Sequence, residues 1–259
     1  MEPNELRCLG FSAVTALLLS LIVPLPAVLG DTLADALQRL QADDVLVADA
    51  AVEEIVAFGD PAADALLSLL EDDRRNVRAG AIRGLGLLRE PRAAQAVRAV
   101  LRSTQERSEP DTMEDRYFRI LATQALGRIG DPGSAPLLRD LAGSGDSFER
   151  AHAGIALFLL EEDPGYDLVL VCLADTAMAV RNVVVEGLAE SSDPRARDLV
   201  LPMTRDESWV VRDSAYWALR AWPTDPEVEA ALRQGAEDPS WYVRQTVTQV
   251  MSGAPGASP

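Results

Sequence analysis

The chain contains no lysine, and that absence closes two routes to chemistry. A Walker-type phosphate loop needs a lysine to reach the phosphates, and a Schiff base needs a primary amine, so neither is available. There is one histidine, His152, flanked by Ala151 and Ala153. A Ser-His-Asp arrangement could be drawn through it on paper. No Gly-x-Ser-x-Gly turn is present to expose a nucleophile, however, and His152 reads as a packed or hydrogen-bonded structural residue. Calcium loops and paired-cysteine metal motifs are missing, and the carboxylates are scattered over turns, so neither a metal, a cofactor nor an acid/base pair is expected.

Cysteine is as scarce as histidine. Cys8 lies in an N-terminal leader-like segment and Cys172 falls on an apolar helix position, so an internal disulfide is not expected and Cys172 reads as a small core residue. Aromatics make up only 5% of the 259 residues, while apolar residues reach 48%. A core built from Leu, Val and Ala suits thin stacked helices better than a sandwich. All 24 basic residues are arginine, against 41 acids, and the net charge of -17 disfavours a nucleic-acid partner by repelling its phosphates.

One apolar run stands apart. From Cys8 to Gly30 there is no charge, with an apolar stretch from Phe11 to Val23, breakers at Pro24 and Pro26, and small residues before Asp31. Residues 1–30 therefore read as a secretory signal cleaved near Gly30, although Glu2 and Glu5 offset Arg7 in its first region. Two alternatives are a retained anchor, which would need roughly 20 apolar residues, and an internal segment that is not exported. Export to the periplasm or the extracellular space is the primary expectation, with membrane contact only through residues 1–30 if they remain uncleaved.

What the sequence does have is a period. The frame Phe118-Arg119…Ala122…Leu126-Gly127…Asp131-Pro132 returns as Val77-Arg78…Ala81…Leu85-Gly86…Pro91, as Val180-Arg181…Leu188…Asp193-Pro194, as Val211-Arg212…Leu219…Asp225-Pro226 and as Val243-Arg244…Met251. Weaker copies run from Val47 to Pro61 and from Glu149 to Pro164. Arg119, Arg150, Arg181 and Arg212 follow one another at intervals of 31 residues, and Arg244 comes 32 later. Such a period marks an array whose units are too small to bury their own apolar faces and stack on their neighbours.

Each unit predicts a first helix behind the Asp-Pro joint and a second helix starting at the Val-Arg place. Proline suits the first helical position, and the aspartate before it caps. Thr32 with Asp35 predicts a capping box ahead of a helix from Leu33 to Leu40. Pro202 should bend or shorten the helix that contains it. Counting from the leading residue of each second helix, positions 0, 4, 8 and 11 form the core stripe at about 100° per residue, while positions 2, 6 and 9 should be exposed. The segment from Ser103 to Arg116 is polar and reads as a surface loop inserted between two helices of one unit, and residues 253–259 read as a disordered tail.

This pattern, Asp-x-x-x-x-Val-Arg-x-x-Ala-x-x-x-Leu-Gly-x-x-x-Asp-Pro, resembles HEAT repeats, in particular the short HEAT-like units of phycobilisome lyases. The resemblance covers residues 31–252 as about seven units. It implies an all-α fold of the α–α superhelix class, with second helices on the concave face and ligands held along it. It also implies that Arg78, Arg119, Arg150, Arg181, Arg212 and Arg244 form a structural ladder between neighbouring units, each partly exposed pair contributing roughly 0.2–1 kcal/mol. The family includes scaffolds, chromophore lyases and a di-iron hydroxylase. The hydroxylase uses adjacent His-Glu pairs in several second helices, which a chain with His152 alone cannot supply.

The partner-binding row expected on the second helices comprises Asp49, Glu53, Arg83, Gln124, Asn182, Glu186, Asp213 and Trp217. Trp217 stands out because position 6 should face away from the core, and Trp is a preferred anchor. Trp209 and Trp241, two residues before the leading valine, read as structural turn aromatics. The expected function is a non-enzymatic scaffold holding a protein or peptide segment, with a basic one favoured. The alternatives are a divergent lyase-like or chaperone-like relative and an assembly factor for an envelope complex.

Overall fold

The computed structural model describes residues 32–42, 45–105 and 112–253. The leader in 1–30, the middle of the 103–116 insertion and the tail beyond Gly253 lie outside the described residues.

Within them the chain forms fourteen α-helices and no strand. They pair as seven hairpins. These are α1 (Leu33–Leu40) with α2 (Val45–Val56), α3 (Asp60–Ser68) with α4 (Arg75–Leu87), α5 (Ala94–Gln105) with α6 (Met113–Ile129), and α7 (Ala135–Ser144) with α8 (Ser147–Leu159). Then come α9 (Asp163–Leu173) with α10 (Met178–Leu188), α11 (Pro194–Val200) with α12 (Trp209–Ala218), and α13 (Pro226–Gly235) with α14 (Trp241–Ser252). The fold is all-α, of the helical-repeat superhelix class.

Local chemistry sets the helix ends. Thr32 Oγ1 accepts from Asp35 N–H while Asp35 accepts from Thr32 N–H, closing the expected box. A second box at Thr112 and Asp115 starts α6, so the insertion is shorter than the sequence suggested: 103–105 end α5 and 113–116 open α6. Asp193 and Asp225 cap ahead of Pro194 and Pro226 as expected. Asp131 does not cap, because its carboxylate is taken by Arg98 Nη1 at 2.8 Å and Ser134 Oγ at 2.7 Å. Pro202 ends α11, and the chain continues as a 3-10 turn from Leu201 to Arg205.

By its contacts the chain divides into two compact units, Ala27–Asp167 and Leu168–Pro259. In the first, the second helices α2, α4, α6 and α8 lie side by side, each also packed on its own hairpin partner. In the second, α10, α12 and α14 also lie side by side, with α14 packed on α13 and α12 on the 3-10 turn Leu201–Arg205. The predicted stripe is at the centre of each core: Ala81, Leu85, Ala122, Leu126, Val184 and Leu188 are all fully buried.

The buried surface is wider than the stripe. Position 5 is also buried (Ile82, Thr123, Val185, Tyr216), and position 9, expected to be exposed, is buried as Gly86 and Gly127. The reason is the neighbouring second helix: a Cβ built on Gly86 would sit 2.8 Å from Ala125 Cα, and one on Gly127 would sit 2.8 Å from Ala156 Cα. A helix flanked on both sides hides more than half of its circumference, which single-helix periodicity does not reveal.

Candidate functional site: the second-helix row

The row residues divide between the units. In Ala27–Asp167, Arg83 Nη1 meets Asp49, and Arg83 Nη2 donates to Glu53 Oε1 at 2.8 Å. Arg83 is therefore not a free cation but the neutralised centre of an acidic pair. Burial, reinforced by the Asp49 charge and opposed by that of Arg83, pushes the Tyr117 hydroxyl upward. Gln124, half-buried, donates its amide N–H to Nδ1 of His152 at 3.3 Å. An amide nitrogen cannot accept, so the imidazole proton sits on Nε2, which is buried without a partner. Burial first, then Arg128 and Arg116, holds His152 down to about 3, so it is neutral.

In Leu168–Pro259, Asn182 donates Nδ2 to Glu186 Oε1 at 2.8 Å, and its own Oδ1 is buried without a partner. Asn182 is only 6% exposed, and in the other unit Ile155, at position 6 of α8, is 8% exposed, which corrects the expectation of a solvated face at positions 2 and 6. Asp213 is raised by burial, against a hydrogen bond from Thr246, and its Oδ1 has no partner. Trp217 is half-buried, with the Arg220 guanidinium 4.4 Å from its ring centroid and Arg220 Nη1 donating to the Trp217 carbonyl at 2.8 Å. Desolvation lowers the Arg220 pKa. The anchor is thus one face of an aromatic already carrying a cation on the other.

The arginine ladder is present, but more deeply buried than expected. Arg181 and Asp206 are each 7% exposed, and Arg119 pairs with Glu149 at 8% and 9%. Arg119 therefore uses the leading residue of the next second helix where Arg181 uses a turn aspartate. Arg78 donates Nη1 to the Asp72 and Asp73 carbonyls and lies 5.9 Å from the Phe118 ring. Arg150 is the exception. It is half-buried and makes neither contact within its unit, where Asp146 caps α8 and pairs with Arg116 instead. Arg212 and Arg244 follow the Arg181 pattern in whole and in part.

The residues overlooked in the sequence are aromatic partners. Trp209 stacks on Tyr242 at 4.9 Å between centroids and reads as structural, but Trp241 is 59% exposed rather than built into its turn. Arg220 was signalled only by its i, i+3 spacing from Trp217. Cys172 is buried and forms no disulfide, and among the described residues no cluster of His, Cys, Asp and Glu could hold a metal. Among those residues, too, no helix is long and apolar enough to cross a membrane.

HEAT repeats match residues 33–109 and 167–252, more than half of the chain. The chain belongs to the HEAT repeat family. No curated protein matches its sequence. Among solved structures it is similar to the complex of CpcE and CpcF of phycocyanin lyase from Nostoc sp. PCC7120, at 19% identity over 90% of this chain and 98% of that one, with a TM-score of 0.55. Human deoxyhypusine hydroxylase in complex with glycerol aligns at 18% identity over 93% and 97% of the two chains, with a TM-score of 0.37. The first likeness shows the HEAT fold.

Proposed function

We propose that this HEAT repeat protein is a protein-binding scaffold without chemistry of its own, and that the second-helix row of the C-terminal unit holds a cationic segment of its partner. The observation that carries this reading is the place of Trp217, one turn after Asp213 on α12 and at the position that Glu186 holds on the neighbouring α10, in a chain whose arginines are largely spoken for. More than half of the described arginines make ion pairs with the chain's own carboxylates, so the excess of 41 acids over 24 bases is left for solvent or a partner. An acidic surface with a Trp anchor selects basic, apolar-tipped segments and speeds their encounter. The fold likeness to a lyase that is itself a complex of two chains supports a protein partner.

We further propose export of the chain, with residues 1–30 as the signal; sequencing the mature amino terminus tests this directly. Replacing Trp217 with Ala and Glu186 with Gln together should weaken capture of the partner from the source organism at least tenfold, with little change in melting temperature. Unchanged capture removes the reading. A lyase-like role is favoured by one feature, the desolvated and half-satisfied carboxyl of Asp213. A chromophore copurifying with the protein would move the assignment to that role.

A further inference from the structure

The arginine after the leading valine recurs three times in the C-terminal unit, and two of the three are fully engaged. Arg181 donates Nη1 to the Asp175 and Thr176 carbonyls at 2.8 and 3.1 Å, and Nε and Nη2 to the two carboxylate oxygens of Asp206 at 2.8 Å each. Arg212 repeats this on the Asp206 and Glu207 carbonyls at 2.9 and 3.2 Å and on the Asp238 carboxylate at 2.7 and 2.9 Å. Arg244 repeats only the first half. Its Nη1 donates to the Asp238 and Pro239 carbonyls at 2.6 and 3.0 Å, and among the described residues no carboxylate meets its Nε or Nη2.

The flank around Arg244 is open in the same sense. Positions 5 and 8 are buried in α10 (Val185 and Leu188, both 0%) and in α12 with the 3-10 turn that follows it (Tyr216 4%, Leu219 0%), whereas in α14 position 8 is Met251, 55% exposed. Position 5 of α14, Thr248, is exposed as well. Trp241 and Tyr242 stand 59% and 50% exposed, and Trp241, Arg244, Gln245, Thr248 and Gln249 line a shallow cleft of about 400 Å³. A repeat whose outer flank meets only solvent normally turns a polar face outward. This one offers two aromatics, a methionine and a guanidinium with its carboxylate fork unfilled.

We propose that the outer flank of α14 docks a partner protein through a helical layer with an aspartate on the turn that leads into its helix. That carboxylate closes on Nε and Nη2 of Arg244 as Asp206 closes on Arg181, while the incoming helix covers Trp241 and Met251. The fork geometry calls for a bidentate planar anion on a rigid turn, and an aspartate held by the N–H of the serine two residues on, just ahead of the next helix, supplies this twice within this same unit. We assign the occupant as a different protein rather than a second copy meeting face to face. Helix α14 carries no acidic residue, so two copies meeting through it would set one Arg244 against the other. This surface uses neither Glu186 nor Trp217, and its partner brings negative rather than positive charge, so the two proposals stand or fall separately.

The test uses the full chain with Cys8→Ser and Thr248→Cys, in which the thiol at 248 is labelled by a maleimide while the buried Cys172 stays silent. The probe is a synthetic hairpin with the sequence of residues 224–253, which presents Asp238 ahead of a helix, added in trans or fused after Gly253. The hairpin should slow labelling at least tenfold. Asp238→Asn in the hairpin, or Arg244→Met in the chain, should weaken that protection about tenfold, while Trp217→Ala leaves it intact. Labelling that proceeds unhindered in both formats, or protection indifferent to Arg244→Met, overturns the proposal. So does slow labelling without the hairpin, whether removal of residues 254–259 relieves it (the chain's own tail) or dilution does (a second copy).

Discussion

Arg181 and Asp206 are joined by two hydrogen bonds of 2.8 Å between Nε and Oδ2 and between Nη2 and Oδ1, with each side chain only 7% exposed. A pair this buried does not behave as a surface ion pair. Removing one member leaves the other charge desolvated, which costs about 3–5 kcal/mol, whereas removing both costs far less than the sum. Arg181→Met is expected to lose about 3 kcal/mol in urea unfolding, and adding Asp206→Asn to recover part of it. A double-mutant cycle with coupling below about 0.5 kcal/mol would place the pair with exposed ones.

His152 makes stability fall in acid. Its folded pKa of about 3, set by burial and then by Arg128 and Arg116, lies below the usual 6.5, so the unfolded chain binds the proton first. Its contribution is complete above about pH 6.5 and is lost at up to about 1.4 kcal/mol per pH unit as pH falls towards 3. Between pH 6.5 and 5.5, above the usual carboxylate range, His152→Gln should flatten the dependence of unfolding free energy on pH. An equal slope in both proteins would assign it to other groups.

Gly86 and Gly127 are places where two second helices touch backbone to backbone. Gly86→Ala sets a methyl 2.8 Å from Ala125 Cα, so the helices must part, and a loss of about 1–3 kcal/mol is expected. Since alanine favours a helix over glycine by roughly 1 kcal/mol, a stabilised variant would show that the contact is loose. Thermal or urea denaturation decides it.

Position 12 turns left-handed in each hairpin of the N-terminal unit, at Gly59, Arg89, Gly130 and Glu161, with φ of 65°, 52°, 75° and 57°. Arginine and glutamate hold at about 1–2 kcal/mol a conformation that glycine adopts freely. Glu161→Gly should therefore leave stability unchanged or raise it by about 0.5–1 kcal/mol, against the usual cost of introducing glycine. A loss above about 1 kcal/mol in urea unfolding would mean that the Glu161 side chain contributes more than its backbone costs.

The repeating residues made the fold legible: spacing of the arginines fixed the hairpins, and the prolines and Thr32 fixed their starts. The candidate site was legible only in part. Glu186 and Trp217 fall on the second helices as read, but the sharing of Arg83 between Asp49 and Glu53, and the burial of Asn182, depend on which residues the neighbouring helix brings alongside. No count within one helix contains that information. The ladder shows the same limit, since Arg119 finds Glu149 while Arg150, one place further on, makes no matching contact in its unit.

Photo-crosslinking from the second helices tests the scaffold reading most directly. With a photoreactive phenylalanine in place of Trp217, the account predicts a specific crosslink to a partner segment rich in Lys or Arg, weakened by 0.5 M salt as screening requires. The same group at Val171, 64% exposed on a first helix, should give none. Crosslinks from Val171 with none from position 217 would contradict the account.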